Sequence, residues 1–141
     1  MYETLFSLKW LVGDPVTTVA LDAQTDTWSL SFSSRSTISI PCLWRLLRNG
    51  APSCTSRDHN CKFGLPAPLD ALAALRELEG QAVQLVAVRS GTSALTLSFN
   101  AGLSLEIINT SSGFEGWDAR HPSLGAVFVM GSGELSAIPG A

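Results

Sequence analysis

Charge is the scarcest ingredient of this 141-residue chain. Only 15% of its residues are Asp, Glu, Lys or Arg, nine of them basic and twelve acidic, for a net charge of −3. A nucleic-acid binder concentrates Lys and Arg on one face, and this composition offers no such stock, so no nucleic-acid partner is expected. A disordered chain is rich in charge and poor in apolar residues, whereas here 45% are hydrophobic. No run approaches the roughly 18 apolar residues of a membrane-spanning helix, so no membrane partner is expected either. The start, MYETLFSLKWLVGD, lacks the basic segment that precedes the apolar core of a secretory signal. The three cysteines are an odd number and cannot all pair within the chain. Together these features predict a cytoplasmic protein.

Catalytic and metal-binding signatures are missing as well. There is no G-x-S-x-G elbow. Cys54, His59 and Cys61 lie close in sequence, but their spacing lacks the close CxxC pair usual for zinc, and the other candidate ligands, Cys42 and His121, are remote. These residues read as a loop carrying free thiols, with no metal and no cofactor. Gly131-Ser132-Gly133-Glu134 is not followed by a helical segment, as a phosphate loop must be, and reads as a hairpin turn. The enzyme question leans to no.

What the chain does contain is a repeat. Leu11–Ile40 and Leu78–Ile107 align without a gap, sixty-seven residues apart. Ten of thirty positions are identical: Leu11/Leu78, Gly13/Gly80, Val16/Val83, Val19/Val86, Ala20/Ala87, Thr25/Thr92, Leu30/Leu97, Ser31/Ser98, Phe32/Phe99 and Ile40/Ile107. At 141 residues, one domain built from two similar halves is expected, with roughly two thirds of its unfolded surface buried.

Within each copy the apolar residues alternate. Trp28, Leu30 and Phe32 share one face, as do Ile38 and Ile40; Leu95, Leu97 and Phe99 repeat the pattern, followed by Leu103, Leu105 and Ile107. A period of two marks strands with one buried face, so each copy reads as a three-stranded meander. Further strands are predicted over 114–120, 126–130 and 134–138. Residues 41–51 fit either a short helix or a strand, and 51–64 read as a loop. Leu69, Leu72, Leu75 and Leu78 recur every third residue behind two prolines, which predicts a helix over 66–79 packed between or across the halves. The fold class is therefore α+β: two pseudo-repeated antiparallel meanders, about seven or eight strands, with one main helix on the sheet. The loop reading further predicts that Cys54 and Cys61 react with a thiol reagent before Cys42.

The densest group of functional residue types is Glu115, Trp117, Asp118 and Arg120, with Glu134 nearby in the tail. On a continuous strand Glu115 and Trp117 would share one face, and Asp118 and Arg120 the other, which separates the carboxylates and disfavours an acid/base pair. The segment FEGWDAR, followed by GSGEL, resembles the C-terminal signature of a family of small uncharacterised bacterial proteins, Tyr-Glu-x-Trp and then Pro-Gly-Gly-Glu-Leu. The matching positions are Phe114, Glu115, Trp117, Gly131, Gly133, Glu134 and Leu135; Phe114 stands for the Tyr, and the Pro-Gly-Gly element is partly kept. Such proteins are similar to immunity proteins of bacterial toxin systems. Together with the small size, the mild acidity and the missing catalytic motifs, the resemblance points to a non-enzymatic binding protein, an immunity-type or regulatory partner of a bacterial toxin or effector, and the residue group Glu115, Trp117, Asp118, Arg120 and Glu134 is read as its contact patch. The alternative is a small-ligand or enzymatic domain with a site between the halves, lined by Trp28, Trp44, Trp117 and His121.

Overall fold

The computed structural model describes residues 2–140. Two short helices, α1 (Tyr2–Ser7) and α2 (Ala71–Leu75), accompany eleven strands among the described residues. In chain order these are β1 (Val16–Asp22), β2 (Thr27–Phe32), β3 (Thr37–Ile40), β4 (Leu43–Arg48), β5 (Ala51–Thr55), β6 (Leu85–Val88), β7 (Leu95–Ser98), β8 (Leu103–Ile108), β9 (Asp118–His121), β10 (Gly125–Val129) and β11 (Leu135–Pro139). All ladders are antiparallel, and the class is α+β. No helix among the described residues is long and apolar enough to cross a membrane.

The strands form two sheets, in the orders β1-β2-β3-β9-β10-β11 and β5-β4-β8-β7-β6. Each sheet is therefore made from both halves of the chain. The meander β1–β3 of the first half continues into β9 and its neighbours from the second, and the meander β6–β8 continues into β4 and β5 from the first. The junctions correspond: Ser39 pairs with Asp118 in one sheet as Glu106 pairs with Arg45 in the other. Inward residues alternate as the period of two requires, with Trp28, Leu30, Phe32, Ile38, Ile40, Leu95, Leu97, Phe99, Leu105 and Ile107 all buried in one core between the sheets. Trp28 of the first sheet meets Trp44 of the second edge to face, ring centroids 5.1 Å apart.

The two copies also grip each other directly. The Gly13 N–H donates to the Val83 carbonyl at 2.7 Å, and the Gly80 N–H donates to the Val16 carbonyl at 2.7 Å. These are the matched residues of the repeat, bonded reciprocally. Both glycines have left-handed backbones, φ +85 and +84. A side chain at either would meet no neighbouring atom, so the backbone conformation is what calls for glycine there. The correspondence begins before Leu11, since tight turns at Lys9–Leu11 and Arg76–Leu78 precede the two glycines alike.

Three expectations need revising. The ambiguous stretch 41–51 is the strand β4, and the loop assigned to 51–64 begins with the strand β5. Strand choice wins because Trp44 and Leu46 alternate inward against β8, where a helix would leave the β8 edge unpaired. The helix over 66–79 shrinks to α2 and one following 3-10 turn. Pro66 and Pro68 disfavour helical backbone in the residues before them, Leu69 instead exchanges hydrogen bonds with Asn60 and Cys61, and Asp70 caps the helix by accepting from the Ala73 N–H at 3.0 Å. α2 touches β1 of one sheet and β5 of the other and so bridges two edge strands, while α1 packs on β10 and β11 and the turn that follows it reaches β6 of the other sheet.

The third revision concerns the thiols. Cys54 lies on β5 facing the core and is 8% exposed. Burial raises its pKa, with the Asp58 charge adding to the effect. Cys42 is pushed up to about 11 by burial. Cys61 is half-exposed, on the loop after β5. Since the thiolate is the reactive form, Cys61 alone should label quickly with a thiol reagent on native protein, ahead of both Cys42 and Cys54. Mass-spectrometric site assignment after brief labelling checks this, and early modification of Cys54 would contradict its inward placement.

Candidate functional site

Residues 109–117 must carry the chain from β8 in one sheet to β9 in the other, so Phe114 to Trp117 are irregular backbone instead of the strand predicted from 114. Asn109 organises this crossing. Its amide donates to the Thr92 carbonyl at 2.9 Å, and its side-chain oxygen accepts from the Trp117 N–H at 3.4 Å. The Gly116 N–H then donates to the Val129 carbonyl at 3.0 Å, which ties the crossing to β10. A Cβ on Gly116 would collide with the Asn109 side chain at 1.7 Å, so glycine is required for this close approach.

The predicted contact residues separate into three environments. Glu115 and Glu134 are exposed. They sit at one end of the first sheet, because Gly116 bonds Val129 and the neighbouring Met130 N–H donates to the Glu134 carbonyl at 2.7 Å. Asp118 and Arg120 face outward on β9, where the Arg120 Nε donates to an Asp118 carboxylate oxygen at 3.3 Å. Burial raises the Asp118 pKa; Arg120 opposes the shift and the Glu115 charge adds to it, so Glu115 and Asp118 share one electrostatic neighbourhood.

Trp117 belongs to the core. It is fully buried, and its indole N–H donates to the Ser93 carbonyl at 2.8 Å. It offers no surface to a partner and instead anchors the loop that carries Glu115. The sequence reading overlooked Phe114 as a contact residue and used it only as a signature position. It is 80% exposed, with Met130 at 39% on the adjoining turn. The turn Gly131–Gly133 packs against 112–113 closely enough that a Cβ on Gly131 would meet the Ser112 carbonyl at 2.8 Å. The FEGWDAR and GSGEL segments are therefore neighbours in space.

The aromatic residues assigned to a crevice between the halves are not gathered in one place. His121 stacks edge to face with Trp10 at 5.3 Å, and Trp28 does so with His59 at 5.3 Å. The intertwined sheets leave the core, not a crevice, between the halves. A cleft of about 440 Å³ lies at the end of the sandwich, lined by Asp26, Trp28, Pro41, Cys42, Leu43, Ser56, Arg57, His59 and Thr110. Its residues come from four separate segments of the chain, which is why sequence spacing did not signal it.

The Cys54–His59–Cys61 stretch does not converge on a common point. Cys54 points inward, the Cys61 Sγ lies 3.4 Å from the Arg57 carbonyl, and the His59 Nδ1 accepts from the Ala71 N–H at 3.1 Å. No protein-family model, curated protein or solved structure matches this chain.

Proposed function

We propose that this is a non-enzymatic binding protein of immunity type, which masks a bacterial toxin or effector with the end of the first sheet that carries Phe114, Glu115 and Glu134. The observation that carries the reading is Phe114, an aromatic side chain left 80% exposed on a loop held at both flanks. Exposed large aromatics on rigid supports are the residues that dominate protein interfaces, because little conformational entropy is lost when they are buried. Glu115 and Glu134 give that anchor an acidic rim, which suits a basic target and speeds encounter more than it strengthens binding. The outward Asp118–Arg120 pair continues the polar border. Trp117 supports this surface from beneath.

The test is protection. The protein is co-expressed with the product of the adjacent gene, and growth is scored together with complex formation on purified components. Phe114→Ala should weaken the complex by at least about thirtyfold, the loss of roughly 2 kcal/mol typical of an interface anchor. Glu115→Lys with Glu134→Lys should slow association and lessen its dependence on salt. Phe114 is exposed, so its replacement leaves the core intact. Full protection by the Phe114→Ala and double-Lys variants would refute this surface, and the lack of any complex or protection with wild-type protein would refute the immunity reading.

A further inference from the structure

The repeat makes the protein its own control, because each half shows what the other has changed. Trp44 and Trp117 occupy equivalent places: Trp44 precedes Arg45, which pairs with Glu106, and Trp117 precedes Asp118, which pairs with Ser39, the repeat partner of Glu106. Both rings are fully buried. In the second half the Trp117 indole donates to the Ser93 carbonyl, and the Ser93 hydroxyl donates to the Gly133 carbonyl at 2.5 Å, which ties the turn before β11 to the turn before β7. In the first half the repeat partner of Ser93 is Asp26, with the same left-handed backbone, φ 54 against 57. Asp26 has no hydroxyl to donate. Its carboxylate makes no hydrogen bond or ion pair among the described residues, and the buried Trp44 Nε1 has no partner.

The space beside them differs accordingly. The groove at this position in the second half is lined by Gly, Ser, Thr and Asn alone. The 440 Å³ cleft of the first half carries Asp26 and Arg57 together. Arg57 also has no ion pair among the described residues. A cation and an anion that line one cleft without pairing with each other complement a ligand that carries both charges. His59 adds directionality: its Nδ1 accepts from the Ala71 N–H, so the neutral ring holds its proton on Nε2 as a donor. Pro41 and Leu43 supply the accessible apolar wall, and Trp28, buried beneath it, stacks on both His59 and the unpartnered Trp44. The volume falls within the range of roughly 300–1,000 Å³ usual for small-ligand sites.

We propose that this cleft binds a free α-amino acid with an apolar side chain, its ammonium on Asp26, its carboxylate on Arg57 and the His59 Nε2–H, and its side chain against Pro41 and Leu43. The site shares no residue with the Phe114 surface, so either can fail without the other.

L-Leucine and L-phenylalanine are titrated into full-length protein at up to about 10 mM, with melting temperature and tryptophan fluorescence as readouts. Both should raise the melting temperature in proportion to the logarithm of their concentration once above Kd. The N-acetyl derivative, which lacks the ammonium, and the methyl ester, which lacks the carboxylate, should each bind about tenfold or more weakly, since a charge-assisted hydrogen bond is lost. Arg57→Gln and Asp26→Asn change exposed side chains and leave the core untouched; each should abolish the response while keeping the unliganded melting temperature. Should one of them fail to fold, the other decides the question. No response from either amino acid, equal binding of the acetyl derivative or ester, or an undiminished response in the folded variants would each overturn the assignment.

Discussion

Phe32→Ala and Phe99→Ala are each expected to destabilise the protein by about 3–5 kcal/mol, the usual consequence of emptying a core aromatic site. The two rings are repeat partners and are 2% and 5% exposed. Phe32 is the last residue of β2 and Phe99 directly follows β7, and both close the hairpin in the same way: the Phe32 N–H donates to the Ser36 carbonyl at 2.9 Å, and the Phe99 N–H to the Leu103 carbonyl at 2.8 Å. The lost side chain leaves a cavity that the surrounding strands cannot close, because Leu30, Leu97 and their neighbours are held in register on both sides. With total stabilities of about 5–15 kcal/mol usual for domains, either change removes a large share. Urea unfolding at unchanged slope would measure it. A cost below about 1 kcal/mol at either site would show that ring to be outside the core, and a large inequality between them would show that the halves are not packed alike.

Trp117→Ala should be at least as damaging. It empties a fully buried site, for about 3–5 kcal/mol, and leaves the Ser93 carbonyl without its indole donor, for a further 1–3 kcal/mol or so. The sharper experiment compares Trp117→Phe with Trp44→Phe. Both replacements remove the same volume from equivalent places, so the cavity cost largely cancels. What differs is the N–H: Trp117 gives up a 2.8 Å hydrogen bond, while Trp44 gives up a buried donor that has no partner. Trp117→Phe should therefore be the more destabilising by about 1–3 kcal/mol. Denaturation of the two variants side by side checks this. Equal costs would mean that the indole of Trp44 is satisfied after all.

Much of the architecture could be read directly. The alternation Trp28-Leu30-Phe32 and Leu95-Leu97-Phe99 located two strands and their buried faces, and the gapless alignment located the repeat. Other features could not be read that way. Cys54 looked like a loop thiol because Pro52 and Ser53 surround it, yet β4 recruits the segment as an edge strand. Leu69 to Leu78 had helical spacing, yet Leu69 was taken by hydrogen bonds to Asn60 and Cys61. Glu115 and Glu134 were named from a signature, while their approach depends on where the β8–β9 crossing lies against the turn before β11. Asp26 and Arg57 carried no motif at all.

The sequence by itself determined which side chains turn inward along each strand and that the chain contains two similar halves. Both follow from local geometry, since successive residues of a strand face opposite ways and a one-residue slip would expose every large apolar group. Only the tertiary structure decided which sheet each strand joins. A strand's apolar face does not identify its partner; β4 and β9 satisfy their hydrogen bonds and bury Leu46 and Ala119 by crossing to the opposite meander. That exchange intertwines the halves, closes the crevice expected between them, and brings Asp26, Trp28, Arg57 and His59 from distant parts of the chain to one cleft, because pairing across the sheets is a long-range choice made by packing and not by any single segment.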